Sequence, residues 1–226
     1  MTEEIGKSKI LMTVLGVVLI GSVWGLMECL LGGLKPAVAG LPISMGAVLA
    51  GLFGLFFMIL ARRMFGFAGV SLAVAVVAGI LRLFAPVGTY VLCSSIAIMA
   101  EGLVFEIIVN RRVFQDNLDG NGDIRSLASL GIISAFAVFC TGYITSQILT
   151  PIVARDTGNI ADVISILPLI FGRGFFAAVL GGISAPIAAL ITLPVLDGTS
   201  VRKGVFFTSS IIVTVFCWSV IYFVFY

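Results

Sequence analysis

Long uninterrupted apolar segments limit what this chain can fold into. The first runs from Ile10 to about Leu31, and further segments of similar length follow along the 226 residues. A helix of ~20 apolar residues is needed to cross a hydrocarbon core about 30 Å thick. With 60% hydrophobic and only 11% charged residues, the chain has too little polar surface to cover a soluble core. We therefore expect an all-α integral membrane protein that forms one polytopic domain in the lipid bilayer.

Seven membrane spans are predicted from these segments. An additional apolar stretch at 160–171 is too short to cross and contains Pro168, so we expect it to be re-entrant or interfacial. The last span is rich in aromatic residues and almost free of polar groups, which indicates an outer helix that faces lipid. The approximate bounds of the predicted spans are 10–31, 43–61, 67–84, 87–109, 127–150, 172–193 and 204–226.

Basic residues are distributed asymmetrically between the predicted loops. Cytoplasmic loops carry an excess of Lys and Arg in most multi-pass proteins. A cytoplasmic amino terminus with seven spans places only Lys35 and Arg155 in outer loops. We therefore predict this orientation, with these basic residues on the inside: Lys7, Lys9, Arg62, Arg63, Arg111, Arg112, Arg125, Arg202 and Lys203.

The first span contains a carboxylate. Glu28 shares an arc of about 60° with Gly21, Gly25 and Gly32 on a helix, and Trp24 lies beside this arc. Small residues let another backbone approach closely. Since a charged side chain at the bilayer centre costs roughly 2.5 to 3.5 kcal/mol, Glu28 is expected to meet a partner or a water-filled cavity.

The predicted topology brings more polar side chains to the outer half of the membrane. Tyr143 and Gln147 share one face of the fifth span, at positions i and i+4. Glu101 lies deeper in the fourth span and is expected to form the floor of the same cavity, whereas Glu106 is expected to reach the inner rim or pair with Arg111. We predict a substrate-binding site formed by Trp24, Glu28, Lys35, Arg82, Glu101, Tyr143, Gln147 and Arg173.

Several classes of chemistry lack the residues they need. The chain has no histidine, which excludes Ser-His and Cys-His nucleophile pairs, His-Glu-x-x-His zinc sites and ordinary haem ligation. It also lacks a Gly-x-x-x-x-Gly-Lys-Ser/Thr loop, so it carries no ATPase of that type, and no basic tract suggests nucleic acid. We expect no cofactor and no metal. The cysteines, none in Cys-x-x-Cys spacing, are interpreted as buried apolar side chains: Cys29, Cys93, Cys140 and Cys217.

The first half of the chain, from about Ile10 to Asn110, resembles a known family. It is similar to a poorly characterised branch of the substrate-binding S-components of energy-coupling factor (ECF) transporters. Each motif is short, and the order and spacing of the set carry the resemblance. The motifs are Trp24-Gly25-x-x-Glu28 with Gly32, the pair Arg62-Arg63, the corner Arg82-Leu-Phe-Ala-Pro-Val-Gly88, and Glu101-x-x-x-x-Glu106.

The resemblance implies a six-helix core in a prokaryotic cell membrane that binds a vitamin or other small nutrient near the outer face. It also implies partners, a transmembrane coupling subunit and ATPase subunits, that supply the energy. Docking in this family is attributed to an Ala-x-x-x-Ala strip. The nearest equivalents here, expected to dock the partner, are Gly21 with Gly25 and Gly46 with Ala50. A seventh span departs from the family pattern.

Three functions remain open at this point. In the first, a solute-binding subunit, charged side chains hold a small nutrient, Trp24 packs on it, and the loop at 33–41 acts as a lid. The second is a structural or assembly subunit, for which the glycine and alanine ridges are equally good evidence. The third is an intramembrane enzyme using Glu28 and Glu101 as acid and base, which the absence of a nucleophile beside a base disfavours. An ion pair of Glu28 with Arg82 or Arg173 is the purely structural alternative for the charges. An amino acid-like compound, a vitamin and a metal chelate all fit as the solute.

Overall fold

The computed structural model describes residues 2–32, 34, 37–38, 41–42, 45–85, 91–110, 123–154, 167–191 and 200–226. These ranges are helical apart from short connections and one minimal β ladder, in which β1 (Ala37–Val38) pairs antiparallel with β2 (Leu41–Pro42). The prediction of an all-α membrane protein is confirmed. Lys35 and most of the expected lid at 33–41 lie outside the described residues.

Helices make up most of the described ranges. A π-helical segment, Leu49–Gly54, joins α2 to α3, so that Met45–Phe65 is continuous. Six helices in the described part of the chain are long and apolar enough to cross a membrane, which makes this a multi-pass protein. The helices are α1 (Thr2–Leu31), α2 (Met45–Val48), α3 (Leu55–Phe65), α4 (Val70–Leu83), α5 (Val91–Val109), α6 (Ile124–Ala154), α7 (Leu167–Leu190) and α8 (Ser200–Phe225).

The third predicted span, 67–84, is shorter than expected. Helix α4 has 14 residues, and at about 1.5 Å per residue it is about 21 Å long, less than a hydrocarbon core of about 30 Å. The first residues of the predicted span form a turn instead of helix, because Gly66 and Gly69 both have positive φ, 66° and 92°. Glycine adopts this conformation without a steric penalty. The turn therefore ends α3 and delays the start of α4.

The prediction that the segment at 160–171 is separate from the sixth span is wrong for the residues that the structure describes. Leu167–Phe171 forms the beginning of α7, which ends at Leu190. Pro168 causes no break because it lies in the first turn, where a backbone N–H has no helical partner to lose. Residues 160–166 lie outside the described ranges.

The segment Met45–Phe65 is the centre of the bundle. It contacts α1, α4, α5, α6 and α7, and these five helices pack against one another in the order α1, α4, α5, α6, α7. Its side chains Leu55, Met58 and Ile59 are fully buried in the core. The core therefore surrounds this segment, and the ends of its neighbours form the two faces of the bundle.

Helix α8 packs mainly on α1 and is largely exposed, as predicted for an outer helix. Trp218 on α8 donates a hydrogen bond from Nε1 to Ser22 Oγ at 3.1 Å. Its ring also lies 5.6 Å from the ring of Phe84, at the end of α4. This contact fixes α8 against the rest of the bundle.

Glycines bring α6 and α7 close to each other and α7 close to the central segment. A β-carbon on Gly181 of α7 would lie 2.5 Å from the carbonyl oxygen of Gly131 on α6. Ser184 Oγ donates a hydrogen bond to the carbonyl oxygen of Gly51 at 3.0 Å. Small residues of this kind are typical of helix contacts in membranes.

A buried ion pair closes the end of the bundle where α3, α4 and α5 meet. Arg62 Nη1 lies 3.0 Å from Glu106 Oε1, and Arg62 Nη2 donates to Asn110 Oδ1 at 3.0 Å. The Glu106 carboxylate also accepts hydrogen bonds from the backbone N–H groups of Gly69 at 2.7 Å and Ser71 at 3.2 Å. Glu106 therefore pairs with Arg62, which is buried, and Arg111, the partner expected from the sequence, lies outside the described residues.

Candidate functional site

A cavity of about 180 Å³ lies at the opposite end of the bundle, between α1, the beginning of the central segment, α5 and α6. Two carboxyl groups, two serine hydroxyls and two aromatic rings face it, among small and apolar side chains. The predicted topology places the polar side chains of the outer half of the membrane at this end of the bundle. The lining residues are Glu28, Gly46, Leu49, Ala50, Ser94, Ala97, Ile98, Glu101, Phe139, Gly142, Tyr143 and Ser146.

Glu28 reaches the cavity from α1 and is held by Trp24. The indole Nε1 donates a hydrogen bond to Glu28 Oε1 at 3.2 Å. Trp24 is fully buried, and a β-carbon on Gly54 would lie 3.0 Å from its ring, so glycine leaves room for the indole. Trp24 is not among the described lining residues. The expectation that it packs directly on a solute is corrected, because it orients Glu28 from behind.

Glu101 reaches the cavity from α5 and is only 9% exposed. Its carboxyl group lies against Gly142 of α6, where a β-carbon would collide with Oε1. No described residue forms a hydrogen bond or an ion pair with this carboxyl group. It interacts electrostatically with Glu28. The two carboxyl groups therefore face one small volume.

The cavity wall between Glu28 and Glu101 is formed by the π-helical segment. Leu49 and Ala50 line the cavity and belong to Leu49–Gly54. A π-helix accommodates an extra residue in its turn and is frequently found at functional sites. Here it places small and apolar side chains between the two acidic helices.

Tyr143 of α6 forms the aromatic wall. Its ring stacks on Phe139 with 5.7 Å between centroids. The guanidinium carbon of Arg173, on α7, lies 5.9 Å from the centroid of the Tyr143 ring, within the range of a cation–π contact. Gln147 is exposed, and Ser146 lines the cavity beside Tyr143.

Arg82 lies behind Glu28. It is buried near the end of α4, where its Nη1 donates a hydrogen bond to the carbonyl oxygen of Ala85 at 3.1 Å. Its charge acts on Glu28. Of the predicted site residues, the structure brings Glu28, Glu101 and Tyr143 to the cavity, with Trp24, Arg82 and Arg173 supporting this end of the bundle.

The glycine strip expected to dock a partner is occupied by the chain itself. A β-carbon on Gly21 would lie 2.6 Å from Val77 Cβ, and one on Gly25 would lie 2.9 Å from Leu81 Cβ, both on α4. The second expected pair, Gly46 and Ala50, lines the cavity. Docking through Gly21 and Gly25 is therefore corrected, because they pack α1 on α4, whereas docking through Gly46 and Ala50 stays a prediction.

A larger groove of about 570 Å³ lies between α1 and α8. Its described lining, which includes Val18, Trp218 and Tyr222, contains no charged residue. Exposed apolar surface on a membrane protein normally meets lipid tails. The smaller cavity with its two carboxyl groups is the candidate site.

No protein-family model matches the chain, and neither a curated protein nor a solved structure matches it. Chemically, the cavity offers two acidic groups, hydroxyl oxygens and an aromatic face. These groups can bind, orient and neutralise a small polar solute within an apolar bundle.

Proposed function

We propose that this chain is the membrane-embedded solute-binding subunit of an ECF-type importer for a vitamin or other small nutrient. One observation carries the proposal: Glu28 and Glu101, from two different helices, line one small cavity together with Tyr143. Intramembrane ionisable groups are costly and mark solute or ion pathways more often than packing. A cavity in which two such groups meet has the form of a binding site.

The supporting residues fit the same role. Trp24 orients Glu28 through its hydrogen bond, and the charge of Arg82 acts on that carboxyl group from behind. An ion pair that served only to join helices would not need an aromatic wall or a cavity. The bundle has such an ion pair at its other end, between Arg62 and Glu106.

Energy for uptake would come from partner proteins, a transmembrane coupling subunit and ATPase subunits. The sequence contains no Gly-x-x-x-x-Gly-Lys-Ser/Thr loop for nucleotide binding. In a prokaryotic cell membrane, the excess of basic residues in one set of loops would place the amino terminus in the cytoplasm and the cavity toward the outside. Helix α8 would then be a peripheral addition to the six-helix core.

The two other functions have less support. The glycine ridges that suggested an assembly subunit are used inside the chain, since Gly21, Gly25 and Gly181 pack against its own helices. An enzyme with Glu28 and Glu101 as acid and base would also need a group that attacks or activates the substrate. Neither cavity serine is hydrogen-bonded to a basic side chain within the described residues.

The proposal is tested by purifying the full chain in mild detergent and analysing what remains bound. We expect native mass spectrometry to detect a small molecule on the wild-type chain, and pull-down from its own membranes to recover an ATPase-containing complex. Asp123→Asn, which changes an exposed carboxylate outside the cavity, is the control and should behave as wild type. A chain that retains no solute and recovers no ATPase would contradict the proposed function.

A further inference from the structure

The charge balance of the cavity indicates what kind of solute it accepts. Both acidic groups, Glu28 and Glu101, face it, whereas none of the described lining residues is Lys or Arg. Arg82 donates a hydrogen bond to the Ala85 carbonyl oxygen and its charge acts on Glu28, while Arg173 lies over the Tyr143 ring. Within the described residues the cavity wall therefore offers two carboxyl groups and no Lys or Arg side chain.

Glu101 is the cavity carboxyl group for which the described residues supply no hydrogen-bond donor and no cation. Glu28 has the Trp24 N–H at 3.2 Å and the nearby charge of Arg82. Glu101 is more than nine-tenths buried and faces the cavity, and it has no donor or cation among the residues that the structure describes. A buried carboxylate without a partner is strongly unfavourable in an apolar environment. A donor with positive charge in the cavity would satisfy it.

The other groups of the wall are also acceptors. Ser94 donates its hydroxyl hydrogen to the carbonyl oxygen of Val91 at 2.8 Å, which leaves the lone pairs of Oγ for a donor from the cavity. Tyr143 and Phe139 add aromatic surface to the same wall, against which a carbon skeleton can pack. An ammonium group has three N–H donors and no acceptor, so it complements carboxylates and hydroxyl oxygens.

The size of the cavity limits the rest of the solute. At about 30 Å³ for each water-sized group, 180 Å³ holds about six such groups. Pockets for drug-sized ligands have volumes of about 300 to 1,000 Å³. A bare metal ion is disfavoured because no group of three or more His, Cys, Asp or Glu residues in the described ranges is arranged to hold one.

We infer that the solute is a small organic cation whose protonated amino group lies between Glu28 and Glu101, with its carbon skeleton against Tyr143. This inference rests on the proposed function, because it names the substrate class of the same site. Each N–H of the ammonium group donates to a carboxylate or to Ser94 Oγ. The positive charge of the solute compensates the carboxylates of Glu28 and Glu101.

The test uses the two tryptophans of the chain, Trp24 and Trp218. Trp218→Phe keeps an aromatic ring beside Phe84 and leaves Trp24, which is hydrogen-bonded to Glu28, as the only indole reporter. The probes are n-butylammonium, n-butanol and butyrate, which match in size and differ in charge. Calorimetry on the unmodified chain gives a second readout that is independent of the substitution.

We expect n-butylammonium to change Trp24 emission in a saturable manner, and butanol and butyrate to have no saturable effect. Glu101→Gln should weaken n-butylammonium binding roughly tenfold or more, because a hydrogen bond to a charged group is replaced by a neutral one. Asp123→Asn should leave binding unchanged. Absence of saturable binding of n-butylammonium, equal binding of butyrate, or unchanged binding in Glu101→Gln would overturn the inference.

The two proposals fail in different ways. A chain that retains an anionic solute and recovers its ATPase partners contradicts the cationic class and leaves the proposed function standing. A chain that binds n-butylammonium but recovers neither a solute nor an ATPase supports the cationic site and contradicts the importer role.

Discussion

The indole N–H of Trp24 donates a 3.2 Å hydrogen bond to Oε1 of Glu28, one helical turn further along α1. Trp24 is fully buried in the core, whereas Glu28 lines the cavity. The pair therefore connects the packing of the bundle to the position of a carboxylate in the site. Hydrogen bonds that fix the orientation of a binding group are typical of preorganised sites.

Trp24→Phe tests this connection. The substitution keeps an aromatic ring but removes the donor, so Glu28 loses its hydrogen bond. Since side-chain hydrogen bonds in membrane proteins contribute about 0.6 kcal/mol on average and up to about 1.7 kcal/mol, we expect a modest loss of stability. Solute binding should weaken more than stability, because Glu28 is no longer oriented. Thermal unfolding in detergent and a binding titration on the same sample measure the two effects, and unchanged binding would contradict the role of Trp24.

Gly142→Ala is predicted to displace the Glu101 carboxyl group. The added methyl would collide with Oε1 and would lie 2.8 Å from Cδ. Because Glu101 is a flexible side chain, the bundle should fold and the carboxyl group should move into the cavity. We expect solute binding to be lost or to fall by more than tenfold, with little change in thermal stability.

Gly46→Ala is the matched control for this variant. Gly46 also lines the cavity, but a β-carbon there would lie 4.0 Å from the nearest atom, Phe139 Cε2. We expect binding within a few-fold of wild type. Equal loss of binding in both variants would show that any added methyl disturbs the site, which is against a specific position for Glu101.

Arg62→Ala is predicted to destabilise the bundle without altering the site. It would leave the buried Glu106 carboxylate without its 3.0 Å ion pair, and breaking a buried pair by removing one partner costs about 3–5 kcal/mol. Arg63→Ala, at the neighbouring, less buried position, should cost much less. Chemical denaturation of both variants checks the difference, and similar stabilities would mean that the ion pair does not hold α3 to α5.

The contact between α6 and α7 makes a further prediction. Gly181→Ala would place a methyl 2.5 Å from the Gly131 carbonyl oxygen. Overpacking of this kind typically costs 1–3 kcal/mol, so about that loss of stability is expected. Gly172→Ala, on the same helix, meets no atom within 4 Å and should be neutral or slightly stabilising. The yield of monodisperse protein and its unfolding temperature distinguish the two variants.

The grouping of Glu28 with Glu101 could be predicted from the sequence because apolar spans alternate in direction. Once the spans are assigned, Glu28 lies in the outer half of the first span and Glu101 deeper in the fourth, which places both at one outward-facing cavity. The pairing of Arg62 with Glu106 could not be predicted in this way. The two residues are 44 positions apart, and their contact depends on how α3 packs against α5, which hydrophobicity does not determine.

Part of the cavity wall could be predicted from the sequence. Phe139, Gly142 and Ser146 lie three or four positions from one another or from Tyr143, so helical spacing places them on one face. The sequence interpretation paired Tyr143 with Gln147 instead, which is exposed. The π-helical segment and the short α4 depend on local backbone geometry that apolar composition alone does not reveal.

Retention of a solute by the purified chain shows whether Glu28 belongs to a solute-binding site. Native mass spectrometry of the purified chain is carried out in parallel on the wild type, Glu28→Gln and the control Asp123→Asn, with thermal unfolding to confirm that each is folded. The account predicts a bound small molecule on the wild type and the control, and its loss from folded Glu28→Gln. Equal retention by Glu28→Gln would contradict it.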